Sequence, residues 1–291
     1  MCDDITEQDN EQYLNANRTM SRRQLGKLGA GAVVTAMLPP VANAMAVTES
    51  SVTVTTPDGN ADCYFVHPAT GKHPAVLVWP DIFGLRPAFQ KMGKRLAESG
   101  YTVLVINPYY RRGDASIVPA GASFSDPDTS KLLFGLAGSL SATTNTTDAR
   151  AFIDWLDAQQ PVDTTRKIGT TGYCMGGPIV MRTAAAVPDR IGAGASFHGG
   201  GLVTDQPDSP HLLVPKMKAH FLFAMAENDD EKDPTAKEIL REVYAKAGLP
   251  AEIEVYEGAM HGWCPPDSRV YNERQAERAW TRLLALLDGA L

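Results

Sequence analysis

The chain has 291 residues, 44 % hydrophobic and 21 % charged, enough to bury a sizeable core in one large α/β domain and too apolar for overall disorder. Its formal net charge of −7 argues against a general nucleic-acid partner, because phosphate binding needs a basic surface. Four cysteines, at 2, 63, 174 and 264, are too few and too scattered for a disulfide framework, and no Cys-x-x-Cys pair suggests zinc or dithiol redox chemistry.

The amino terminus reads as an address. Ser21-Arg22-Arg23-Gln24-Leu25-Gly26-Lys27 precedes an apolar stretch from Leu28 to Leu38, and Val41-Ala42-Asn43-Ala44 places small residues where a signal peptidase reads them. The arrangement resembles a twin-arginine signal cleaved near Ala44. It implies a periplasmic or secreted protein whose precursor engages the twin-arginine export machinery. A bilayer span needs about 20 apolar residues; the run is shorter, so no permanent membrane anchor is expected. Residues 1–44 are therefore set aside as a leader, and 45–291 are expected to fold as a single domain.

Val52 to Thr55 and Ala61 to Val66 flank the turn Pro57-Asp58-Gly59-Asn60 and predict a hairpin at a sheet edge. The apolar run Ala75 to Trp79, a helix from Arg86 to Ser99 and a second run Thr102 to Ile106 predict a βαβ unit with buried parallel strands. Tyr110 to Thr144 lacks clear periodicity and reads as a long excursion over the strand ends, of the kind that forms lids. Alternation then resumes: helix Asp148 to Ala158, strand Lys167 to Thr171, helix Gly177 to Ala186, strand Ala193 to Phe197. Strand His220 to Met225, helix Pro234 to Ala247, strand Glu252 to Tyr256 and helix Arg274 to Leu287 complete the chain. This predicts an α/β protein with a doubly wound, mostly parallel sheet carrying helices on both faces.

Strand Lys167 to Thr171 runs directly into Gly172-Tyr173-Cys174-Met175-Gly176-Gly177 and then a helix, the G-x-nucleophile-x-G pattern with cysteine as the nucleophile. A nucleophile on so sharp a turn occupies a strained backbone conformation, and glycines two residues either side relieve crowding. The Met175 backbone N–H is then a candidate oxyanion donor, and the following helix amino terminus favours a thiolate.

The motif Gly172-Tyr173-Cys174-Met175-Gly176-Gly177 resembles the signature of the dienelactone hydrolase family of α/β-hydrolases, and the similarity runs over roughly residues 50 to 290. Trp79-Pro80-Asp81-Ile82-Phe83-Gly84-Leu85 is similar to the family's loop after its third strand. The resemblance implies that Asp81 contacts the nucleophile in the resting enzyme and that the Ile82 N–H is the second oxyanion donor. It implies a small cyclic ester carrying a carboxylate as substrate, with Arg111 and Arg112 near the family's substrate-binding arginine.

In this fold the triad appears in the order nucleophile, acid, base. His67, His73, His211 and His220 read as surface or structural residues, and His198 precedes the strand expected to carry the acid. His261, in Glu257-Gly258-Ala259-Met260-His261-Gly262-Trp263, matches the family's loop and is the candidate base. The acid belongs in Ala226-Glu227-Asn228-Asp229-Asp230. Counting from the strand end selects Asp229; counting back from Pro234 selects Asp230. The strand end fixes the loop's origin and favours Asp229.

These readings predict cleavage of a small ester or lactone through a thioester, without metal or organic cofactor, by a monomer or small homo-oligomer. A general carboxylesterase or thioesterase is the neighbouring alternative. A non-enzymatic periplasmic thiol protein, using Cys174 or a Cys63/Cys264 pair, is the alternative from another class.

Overall fold

The computed structural model describes residues 4–17 and 37–291. Its strands in chain order are β1 (Val47–Thr56), β2 (Gly59–Pro68), β3 (Ala75–Trp79), β4 (Thr102–Ile106), β5 (Ile168–Tyr173), β6 (Ile191–Phe197), β7 (His220–Ala226) and β8 (Ala251–Tyr256). They form one sheet in the order β1-β2-β4-β3-β5-β6-β7-β8, parallel from β4 onward, with β1 and β2 antiparallel at one edge. The α/β architecture expected from the alternation is present.

The helices are α1 (Asp4–Asn17), α2 (Pro87–Glu98), α3 (Pro127–Ala137), α4 (Ala142–Asp157), α5 (Gly176–Ala186), α6 (Glu227–Lys232), α7 (Ala236–Ala247) and α8 (Glu273–Ala290). Because successive strand residues point to opposite faces, β3 sends Leu77 and Trp79 into one core with Phe152 of α4, Met181 of α5 and Leu240 of α7. Val76 and Val78 enter the other core with Phe89 and Leu96 of α2 and Leu283 of α8. Every residue of β3 and β4 is buried, which is why both strands read as unbroken apolar runs.

Three expectations are corrected. The excursion after β4 is partly helical: the Asp126 side chain accepts from the Thr129 N–H and Pro127 opens α3, so a capped start stood in a segment without visible periodicity. A capping box of Ser141 and Thr144 starts α4 at Ala142 rather than near Asp148. The acidic segment before Pro234, expected as a loop, is the short helix α6, while the helix expected from Pro234 to Ala247 is present as α7. The motif Ser21 to Lys27 and the apolar stretch up to residue 36 lie outside the described residues, whereas residues 4–17, which precede the motif, form α1 against the body of the protein. Among the described residues no helix is long and apolar enough to cross a membrane.

Arg111 closes the edge of the sheet onto α4. Its guanidinium donates to both carboxylate oxygens of Asp148 at 2.8 and 2.7 Å and to Asp58 in the turn between β1 and β2 at 2.6 Å. The Tyr110 hydroxyl donates to the same Asp148 at 2.7 Å, and its ring lies under the guanidinium. Asp148 is buried, so removal of Arg111 strands a carboxylate in the interior. Arg111→Ala is expected to lower the unfolding free energy in urea by about 3 kcal/mol, while kcat/KM of the folded fraction stays near wild type.

Candidate active site

The reaction centre starts from a backbone constraint. Cys174, between β5 and α5, has φ +51°, a left-handed conformation that costs a non-glycine residue energy unless its surroundings enforce it. They do. A Cβ on Gly172 would lie 2.3 Å from the Gly176 carbonyl oxygen, and one on Gly176 would lie 2.4 Å from the Trp79 carbonyl oxygen at the end of β3. The turn can therefore close only with glycine at both places, and it presses the start of α5 against the neighbouring strand. The Cys174 N–H donates to the Phe197 carbonyl at 3.0 Å, locking the turn to β6.

His261 reaches this centre from the loop after β8. Its Nδ1 lies 2.7 Å from Asp229 Oδ2, and the Cys174 side chain stands close enough to the ring to raise its proton affinity. Burial opposes a charged imidazole, but Asp229 and Cys174 outweigh it and raise the proton affinity of the ring well above the ordinary histidine value. The loop is held by its backbone as well: the His261 N–H donates to Asn228 Oδ1 at 2.8 Å, and the Glu227 N–H donates to the Ala259 carbonyl at 2.8 Å. Asp230, the other acid considered, faces away and accepts from Lys237 at 2.7 Å.

Asp81 is buried beside Cys174. Both of its oxygens accept from Arg86, at 2.6 and 2.9 Å, and the same guanidinium donates to Asp267 at 2.7 and 3.0 Å. Burial raises the Asp81 pKa; Arg86 opposes the rise, and the nearby Cys174 and Asp267 reinforce it. Arg86 also stacks on Phe89, with its guanidinium carbon 4.9 Å from the ring centre. Sequence reasoning placed Arg86 only at a helix start; its separation from Asp81 within one loop was the available signal.

The loop carrying Ile82 is braced by Tyr109, whose hydroxyl donates to the Ile82 carbonyl at 2.7 Å and touches the Met175 sulfur at 3.4 Å. One buried phenol thus links the two segments expected to supply oxyanion donors. Among the described residues neither the Ile82 nor the Met175 backbone N–H donates to another backbone group outside the regular elements. Arg111 and Arg112 are not brought to this centre: the first is consumed by the Asp148 clamp, and the second is exposed.

His198, set aside from the sequence because it falls out of triad order, belongs to the site. It has φ +39°, is buried, and stands edge-on to His261 with ring centres 5.1 Å apart. Burial, and then the charge on His261, hold its pKa well below the ordinary value, so it is a neutral ring beside a cationic one. Neither of its nitrogens has a hydrogen-bond partner among the described residues. No group of three or more His, Cys, Asp or Glu side chains among the described residues could hold a metal ion.

A parallel sheet with a strained nucleophile turn after β5 and a histidine loop after the last strand defines an α/β-hydrolase. The profile of the dienelactone hydrolase family matches residues 61–291, and the chain belongs to that family and is a carboxylic ester hydrolase. A carboxymethylenebutenolidase of Rhodococcus opacus is 26 % identical over 197 residues, covering 67 % of this chain and 71 % of that protein. A Methylorubrum extorquens protein with a provisional name of the same activity is 26 % identical over 282 residues, covering 93 % of each chain. A provisionally named dienelactone hydrolase from Klebsiella pneumoniae shares the fold, with TM-score 0.72, 24 % identity, and coverage of 84 % of this chain and 99 % of its own.

The three described cysteines differ sharply. Cys63 lies in the core under α4 and Cys264 in the core under α8, both with thiol pKa values pushed up by burial. In the folded protein iodoacetamide is expected to label Cys174 faster than either, as read by peptide mapping after a short exposure, because only Cys174 sits beside a base at a helix amino terminus. Equal labelling of all three would count against activation of Cys174.

Proposed function

We propose that the protein hydrolyses a small ester or lactone through a thioester, with Cys174 as nucleophile, His261 as base and Asp229 as the orienting acid. The observation that carries this reading is the run of contacts from Asp229 through His261 to a cysteine held in a left-handed turn. The thiol gives its proton to His261, and the thiolate forms a C–S bond to the ester carbonyl carbon. The oxyanion accepts from the Ile82 and Met175 N–H groups. Collapse breaks the C–O bond, and His261 returns the proton to the departing alkoxide, or to the ring-opened oxygen of a lactone. Water, deprotonated by His261, then attacks the thioester and releases the acid and the thiol.

Asp229 stabilises the imidazolium and selects the tautomer, as the acid of a triad does. Asp81, with both oxygens held by Arg86, acts as a fixed acidic group beside Cys174. A general carboxylesterase or thioesterase would use the same groups. A thiol sensor built on Cys63 and Cys264 is disfavoured, because the two belong to separate cores on opposite faces of the sheet. The twin-arginine reading of Arg22-Arg23, with cleavage near Ala44 and a periplasmic or secreted product, remains part of the proposal on its sequence pattern.

Two experiments test these assignments. Asp229→Asn should leave the fold intact and lower kcat/KM on small esters by about a hundredfold or more, with Asp230→Asn within a fewfold of wild type; the opposite ranking would move the acid to Asp230. Replacing Arg22 and Arg23 together with lysine should leave the precursor in the cytoplasm by cell fractionation, and undiminished export would sink the address.

A further inference from the structure

Nothing in the leader reading gives residues 4–17 a task, yet α1 is seated on the rim of the candidate site. The Asn10 side-chain amide donates to the main-chain carbonyl of His261 at 3.3 Å. Asp9 pairs with Lys232 at 2.7 Å, and the same ammonium donates to the Thr6 hydroxyl at 3.3 Å. Glu7 pairs with Arg269 at 2.8 Å. Thr6 is buried, and burial raises the Glu7 carboxyl. Lys232 closes the helix that begins beside the acid Asp229, and Arg269 lies in the segment that follows His261. One acidic helix therefore bridges the two segments that carry the acid and the base, and it grips the backbone of the base itself. Cys174 and His261 are each only 2 % exposed.

We infer that the surface formed by Lys232, Arg269 and the His261 carbonyl is a docking site for the chain's own acidic leader helix, and that α1 seated there keeps the reaction centre shut. The charges are complementary, since α1 has three carboxylates at the contact and no basic residue, and the receiving surface has two cations. A helix in this position blocks the approach of an ester to the thiol and restrains the loop that must let His261 move between sulfur, leaving group and water. The inference rests on Cys174 and His261 being the reaction centre. On the export reading, a signal peptidase adds one water across the peptide bond after Ala44, leaving a carboxylate and an ammonium terminus. That step detaches α1 from residues 45–291, so the precursor is latent and the processed enzyme open.

The test uses the full chain with Asp9→Lys, Lys232→Glu and the two combined. Each single change replaces an attraction with a repulsion and shifts docking by about tenfold; the combined variant restores the pair with reversed polarity. Amide hydrogen exchange of residues 4–17, iodoacetamide alkylation of Cys174 and hydrolysis of a small ester are followed together. All three should rise by about tenfold in the single variants and return towards wild type in the combined one. Glu7→Lys, acting through Arg269, should reproduce the singles independently. Faster exchange in 4–17 with unchanged alkylation would overturn the inference, as would free exchange of those residues in the wild type. Alkylation that follows the charge swap with no ester turned over in any variant would support the cap and defeat the hydrolase mechanism instead.

Discussion

The left-handed turn at Cys174 is the constraint on which the rest of the site depends. A side chain at φ +51° is held there only because Gly172 and Gly176 let the backbone of β5, α5 and the end of β3 meet at distances that any Cβ would prevent. That close approach brings Trp79, and so the loop from Asp81 to Leu85, against the start of α5. Tyr109 braces the segments that carry Ile82 and Met175 with a single hydroxyl. A substitution at either glycine would disturb the Cys174 turn and its packing against the end of β3 together.

Around that turn, buried charge is sorted by partner. Asp229 faces His261, Asp230 faces Lys237, and Asp81 shares Arg86 with Asp267. Each carboxylate is compensated, because an unpaired buried charge would cost several kcal/mol. The consequence for chemistry is that a cationic His261 is favoured and that His198, pressed against it without a hydrogen-bond partner among the described residues, is held towards its neutral form.

The helix α1 fits the same electrostatic logic. Lys232 and Arg269 stand outside the reaction centre with no acidic partner from the segments they belong to, and α1 supplies Asp9, Glu7 and Glu11. A segment that sequence reasoning set aside from the fold is in contact with the folded domain.

Local features were legible along the chain. Apolar runs marked the strands because those strands are buried on both faces, and the glycine spacing marked the elbow because no other residue fits its clearances. The order of the elbow, the acidic segment and the His261 loop followed from the fold expected of that elbow. What the chain alone left open was direction. Asp229 and Asp230 are adjacent on the first turn of α6, where successive side chains diverge by about 100°, so one meets His261 and the other Lys237. Arg111 looked available for a substrate carboxylate, but Asp148 and Asp58 claim it from distant parts of the sequence. Arg86, His198 and α1 owe their places to contacts across the fold. Periodicity and spacing are set by neighbours along the backbone and can be read from them; the partner of a charged or polar side chain is set by what the sheet brings opposite it, and only the tertiary structure decides that.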